Sequence, residues 1–558
     1  MSDDFDAIVC GSGISGGWAA KELTERGLRV LMIERGPMIE HGQYQTEMKA
    51  PWELPFRGNL DPELAATSKR IQKFARIDEW TQDMFVDDEV DIYETPQESD
   101  FRWLRGYHLG GKSLMWGRQC YRLSDINFRS NAQDGYGIPW PVNYDEIVPW
   151  YEHVERFIGI NGTTENLPSL PDGVFQPPMP LNKGEAHFSE IVRQNFTDRR
   201  AVPGRSANLT QAKANRAQCQ FRNECARGCS FGAYFSTQSS TLPAAQATGR
   251  LTVLADSIVE TLDYDPATRR VTGVRVKKIS DGSRSVQRAK IVFVCTGSVN
   301  SVSLLLRSVS EQTPEGLGNS SGLLGRYVID QAFGALVVSS MPGLEEWTYK
   351  GRKPNGLVIP RFVNLGGQET DFLRGYSYQA GAMRSGWGRG VDMPGTGTQF
   401  MEELRNPGPW MMMLEVSAEA LPRADNRISV NFARKDMYDL PLTRIDVRFT
   451  ENESKAEAHA IAEATKMLTL LGGEVTTINP GGNPPGTSIH EMGGAPMGDD
   501  PANSVLNRHN QLHDAANVFV TDGAFMNSAG DRNPSLTYMA FTARAAARAA
   551  EMVKTGAF

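Results

Sequence analysis

Close to the start of the chain, Gly11-Ser12-Gly13-Ile14-Ser15-Gly16 sets three glycines at the spacing G-x-G-x-x-G. A β-rich run over residues 6–10 precedes them and a helical pattern over 18–25 follows. Glycines in that order let a backbone turn sharply and approach a pyrophosphate. The helix N-terminus behind them offers N–H donors and a positive dipole end. Glu34 lies 23 positions after Gly11, at the end of a second strand-like run over 28–34. An acidic side chain there suits ribose hydroxyls and repels a 2′-phosphate, so the pattern favours FAD or NAD over NADP.

A second cluster consists of thiols. Three of the six cysteines, Cys219, Cys225 and Cys229, fall within eleven residues. Thiolates are the usual ligands of iron–sulfur clusters, and three without an obvious fourth suit a 3Fe–4S centre. A zinc knuckle, a local disulfide and three unrelated thiols are the competing readings. Zinc would want a fourth ligand, which is not nearby in sequence, and a disulfide would leave one thiol over. Cys10, Cys120 and Cys295 sit in apolar contexts and read as core residues.

The tail carries the most specific signal. His490-Glu491-Met492-Gly493-Gly494 is followed by Val518-Phe519-Val520-Thr521-Asp522-Gly523, then by Asn533-Pro534-Ser535 opening a last helix. A neutral imidazole at His490 can take a hydroxyl proton near pH 7. Asn533 can cap the helix. Pro534 suits a first helical position. The other histidines, at 41, 108, 153, 187, 459, 509 and 513, lack such a context and read as structural.

With the N-terminal glycines and Gly110-Gly111-Lys112-Ser113, these motifs make the chain resemble the glucose–methanol–choline (GMC) flavoprotein oxidoreductases over nearly its whole length. The resemblance implies an α/β fold: a Rossmann-type FAD-binding domain built from discontinuous segments, plus a sheet-based α+β substrate domain. The expected division gives 1–50, 100–130, 205–330 and 480–558 to the FAD domain, with the cysteine loop at 217–232. It gives 51–99, 131–204 and 331–479 to the substrate domain and its lid excursions. The resemblance also implies a cofactor site of Gly11, Ser12, Gly13, Gly16, Glu34, Arg35, Gly110, Gly111, Ser113, Val259, Thr296, Gly297, Asp522, Pro534 and Ser535. His490 and Asn533 are the implied catalytic pair. Met115 stands where some sugar-oxidising relatives carry a histidine linked to the flavin, so FAD is expected to be non-covalent.

The His–Asn pair looks like that of the pyranose-oxidising branch. The cysteine spacing resembles that of FAD catalytic subunits of bacterial sugar dehydrogenases, glucoside 3-dehydrogenases among them. The implied activity is oxidation of a ring hydroxyl of a glucoside, at carbon 3, to a ketone. Electrons then pass through a 3Fe–4S cluster to a c-type cytochrome, in a complex with a small partner subunit. A glucose 1-dehydrogenase forming the lactone, or a pyranose-type oxidase using O2, is the alternative.

These side chains need a large scaffold to position them. The 558 residues are 40% hydrophobic and 22% charged, with a net charge of −8. That composition provides a sizeable core and argues against nucleic-acid binding, which normally shows a basic face. Residues 37–101 are irregular and read as a surface excursion or lid. Residues 144–158, 299–306, 453–471 and 534–553 read as helices. Strands are expected at 251–254, 426–430, and at 271–279 and 289–295 around Asp281-Gly282. The acidic N-terminus does not read as a signal peptide and no run suits a membrane span. The resemblance therefore implies a periplasmic location reached with a co-exported partner, with the cytoplasm as the alternative.

Overall fold

A continuous apolar run must be covered on both faces, and several short runs of this chain meet that need by pairing in parallel. The computed structural model describes residues 5–39, 49–63, 77–222, 225–349, 355–391 and 393–558. Five strands form a parallel sheet in the order Val518–Val520, Ala289–Val294, Phe5–Cys10, Val30–Ile33, Leu251–Leu254. Its strands thus come from the beginning, middle and end of the chain. Ala7, Ile8, Val9 and Cys10 are all fully buried. Helix Ile14–Glu25 packs beside the final helix Ser535–Lys554 through small residues, Ala19 and Ala20 against Ala545, Ala546, Ala549 and Ala550. A Cβ on Gly16 would lie 2.0 Å from the Gly11 carbonyl oxygen, so glycine is required where this helix meets the turn.

The second layer is a six-stranded sheet in the order Val475–Asn479, Gln331–Ser340, Trp410–Glu419, Tyr376–Arg384, Leu357–Ile359, Val202–Pro203. Its pairings are antiparallel. Helix Glu451–Thr469 covers one face, burying Ala456, Ala460, Ala464, Met467 and Leu468. Their spacing of three and four is the apolar stripe of an amphipathic helix. A Thr450/Glu453 capping box starts the helix two residues earlier than the apolar pattern predicts. Among the described residues no helix is long and apolar enough to cross a membrane.

The structure corrects two sequence expectations about these elements. The Asp281-Gly282 turn joins Arg270–Lys278 to Arg284–Gln287, not to residues 289–295. Arg284–Gln287 is a mostly exposed edge strand without an apolar run, and Ala289–Val294 enters the parallel sheet instead. The last helix begins at Ser535, with Pro534 in the N-cap position just before it.

A buried charge cluster ties the two layers together. Arg374 donates to Glu419 (3.0 Å), to Asp134 (2.9 Å) and to the Asn131 side-chain oxygen (2.9 Å). Glu419 is fully buried and also accepts the Gly530 N–H at 3.1 Å, three residues before Asn533. Breaking a buried pair leaves an uncompensated charge, which costs about 3–5 kcal/mol. Arg374→Ala should therefore lower the unfolding free energy by about that amount, read from a urea titration. A loss below about 1 kcal/mol would mean that the cluster does not brace the two layers.

Candidate active site

A cavity of about 880 Å³ opens at the C-terminal ends of the parallel strands, where open α/β sheets bind ligands. Gly11 follows strand Phe5–Cys10, Glu34 follows Val30–Ile33, Cys295 follows Ala289–Val294, and Asp522 lies two positions after Val518–Val520. Gly11, Ser12 and Gly13 form one wall, with Gly111 and Ser113 beside them. Glu34, Arg35, Val259, Thr296 and Gly297 continue it. His490, Asp522, Asn533, Pro534 and Ser535 complete the set of expected residues that reach the cavity. Gly16 and Gly110 do not. Gly16 supports the turn from behind, and Gly110, at φ 96°, donates its N–H to the Ser12 hydroxyl at 2.8 Å.

The glycine turn fits a dinucleotide. A Cβ on Gly11 would meet the Cys295 carbonyl oxygen at 2.5 Å, whereas one on Gly13 would meet nothing within 4 Å. Glu34 is buried and accepts the Ser12 and Gly36 N–H groups, each at 3.0 Å, as well as the Ser12 hydroxyl. Burial raises its pKa against those hydrogen bonds. The Arg35 guanidinium stacks over Tyr107 (4.0 Å) and Tyr438 (4.5 Å) and pairs with Asp91 at 2.9 Å. Asp522 accepts the Gly297 N–H at 2.8 Å and the Ala524 N–H at 3.1 Å, and burial lifts its pKa to about 6. It braces the turn before helix Ser298–Arg307.

The catalytic pair expected from the sequence comes together. Asn533 Nδ2 lies 3.1 Å from His490 Nε2. The other ring nitrogen, Nδ1, lies 2.8 Å from Gln331 Oε1. Asn533 makes no cap bond to the helix, so the capping alternative falls away. Its Oδ1 instead accepts from Gln379 Nε2 at 3.2 Å. Asp330 holds the loop that delivers His490 by accepting the Gly486 N–H at 2.6 Å and the Ser488 hydroxyl, and burial lifts it to about 6. Glu491, next along, pairs with Lys112 at 2.8 Å.

The six-stranded sheet supplies wall residues that the sequence did not single out. Gln379 and Glu415 sit opposite each other on paired strands, and Phe333 lies on the next strand. Gln119 Nε2 donates to Gln379 Oε1 at 3.0 Å. Strand alternation could have grouped such residues only once the pairing register was known. Several other histidines have structural partners: His153 contacts Glu22 at 2.7 Å and His459 contacts the Tyr376 hydroxyl at 2.8 Å. His41 lies outside the described residues.

Cys219, Cys225 and Cys229 are partly exposed. Burial raises the Cys219 pKa, with Cys225 and Cys229 adding to the rise and Arg118 opposing it. Among the described residues, however, no group of three His, Cys, Asp or Glu side chains is arranged to hold a metal ion. The converged cluster site expected from the spacing is thus not supported by this geometry. Asn223 and Glu224, within the same loop, lie outside the described residues. Ala226 brings that loop to the cavity wall. Cys10, Cys120 and Cys295 are buried core thiols, as their apolar contexts predict.

Comparison with known proteins agrees with this architecture. The chain is 25% identical to the fructose dehydrogenase large subunit of Gluconobacter japonicus, over 97% of each protein. It is 26% identical to 2-methyl-1,2-propanediol dehydrogenase of Mycolicibacterium austroafricanum, over 98% of this chain and 95% of the relative. The fold matches the crystal structure of pyridoxine 4-oxidase from Mesorbium loti with a TM-score of 0.58 and 16% identity, covering 97% of this chain and 98% of that one. The GMC oxidoreductase models match residues 5–320 and 422–542, and the chain belongs to the GMC oxidoreductase family.

Proposed function

We propose that this protein is an FAD-dependent dehydrogenase that oxidises a ring hydroxyl of a glucoside or related pyranose, at carbon 3, to a ketone. The His490–Asn533 contact, facing the same cavity as the glycine turn, carries the reading. His490 Nε2 takes the hydroxyl proton while an Asn533 amide hydrogen holds the oxygen. The O–H and C–H bonds break and a carbonyl forms. FAD held by the Gly11–Gly13 turn and Glu34 would supply the hydride acceptor for the hydrogen and both electrons of the C–H bond. The N-terminus of helix Ser535–Lys554 lies at the cavity wall, where its dipole favours negative charge.

Polarity supports a sugar as the substrate. Gln119, Gln379 and Glu415 give the far wall amide and carboxylate groups that can bind several hydroxyls. The large subunit named for fructose dehydrogenase is a sugar-acting relative. The carbon-3 assignment rests on the sequence resemblance to glucoside 3-dehydrogenases. Met115 at the cavity wall supports FAD held without a covalent bond.

The electron acceptor is a separate part of the proposal. Cys219, Cys225 and Cys229 are proposed ligands of a 3Fe–4S cluster feeding a c-type cytochrome, in a periplasmic complex with a small partner subunit. Support comes from the spacing of the three cysteines. No step of the sugar oxidation is routed through it.

His490→Ala should slow anaerobic bleaching of bound flavin by sugar about 10²–10⁴-fold; an unchanged rate would remove His490 as the base. Methyl glucoside, whose anomeric carbon is blocked, should reduce a dye acceptor as well as free glucose does. Activity with free glucose alone would move the oxidation to carbon 1. Iron analysis of the same preparation should give about three atoms per chain, and its absence would remove the relay.

A further inference from the structure

Gln331 is fully buried on strand Gln331–Ser340, away from the substrate side of His490. Its amide nitrogen donates to the Gly530 and Arg532 carbonyls, both at 2.8 Å. Its oxygen accepts from the Ser417 hydroxyl at 3.2 Å and lies 2.8 Å from His490 Nδ1. Both N–H groups and both lone pairs of the amide are thereby used. Turning the amide over would set its oxygen against two carbonyl oxygens and leave no acceptor for the imidazole. The orientation is fixed by backbone that cannot adapt.

We infer that Gln331 is a positioning residue that fixes the tautomer of His490, a role that rests on the base function proposed above. With an obligatory acceptor at Nδ1, the neutral ring carries its hydrogen there, and Nε2 presents a lone pair. The Asn533 side agrees. Asn533 Oδ1 accepts from Gln379, whose own oxygen accepts from Gln119, so Asn533 must turn its N–H toward Nε2. Tyr121 continues the chain by donating to the Gln119 oxygen at 2.9 Å. Every donor in the series Tyr121, Gln119, Gln379, Asn533, His490, Gln331 points the same way, and the series ends on the two carbonyls. The carbonyls of Gly530 and Arg532 belong to the loop that also delivers Asn533, so one short segment sets both nitrogens of the ring.

The tautomer can be read without substrate. A long-range ¹⁵N–¹H spectrum of histidine-labelled, FAD-loaded protein at about pH 8, above the usual imidazole range, separates the two neutral forms. Comparison with His490→Ala identifies the ring among eight histidines. The hydrogen should sit on Nδ1. A hydrogen on Nε2 overturns the inference while leaving the proton-acceptor role to be judged by the His490→Ala rate. Gln331→Met, similar in volume and without the amide, should give a mixed or Nε2–H ring. Flavin bleaching by methyl glucoside should fall by the same factor as the Nδ1–H fraction of the ring, since only that tautomer offers Nε2 as the base, with half-saturation changed less than about twofold. A variant that keeps both the wild-type tautomer and the wild-type rate overturns it. Should the variant not retain FAD, the wild-type spectrum decides alone.

Discussion

His490 is held between two amides that come from different layers of the molecule. Gln331 stands on the six-stranded sheet, and Asn533 stands just before the last helix, which packs on the parallel sheet. The imidazole is correctly placed only if these layers keep their separation to within about 0.5 Å. Much of the surrounding structure serves that requirement. The Arg374–Glu419–Gly530 cluster connects one layer to the loop of the other, and Gln331 itself grips the same loop at two carbonyls. Buried polar groups cost stability unless they are fully partnered, and here the partners span both layers.

The parallel sheet does the complementary task at the other end of the cavity. Strands end where the chain must turn, and their exposed backbone N–H groups and adjoining side chains collect at one edge. Glu34 and Asp522 each brace a glycine-containing turn there, one holding Ser12 and the other Gly297. These carboxylates do structural work in the same place where they can meet a cofactor. Burial raises both of their pKa values, and backbone N–H bonds oppose the rise.

Features encoded by local chemistry were readable in the sequence. The glycine turn and the acidic residue after the second strand rest on residue types at a fixed spacing, whereas the His490–Asn533 pair was legible through the resemblance to the GMC family. Gln331 and Gln379 were not readable, because they belong to a sheet whose register cannot be inferred from either strand alone. The helix Lys183–Asn195 carried a legible Asn182/Glu185 capping box, but the surrounding stretch is rich in aromatic and turn residues. The partner of Arg270–Lys278 was misplaced because an exposed edge strand needs no apolar pattern. The cysteine loop was legible as a spacing of three thiols, while among the described residues the structure does not gather them as a metal site.

The central claim is that a sugar ring carbon loses its hydrogen while His490 takes the hydroxyl proton. Anaerobic stopped-flow reduction of the bound flavin by methyl glucoside deuterated at carbon 3 tests it most directly. The account predicts a primary isotope effect on bleaching with deuterium at carbon 3 and none with deuterium at carbon 2 or 4. Equal rates for the carbon-3-deuterated and unlabelled sugars, with an isotope effect appearing at another carbon, would contradict it.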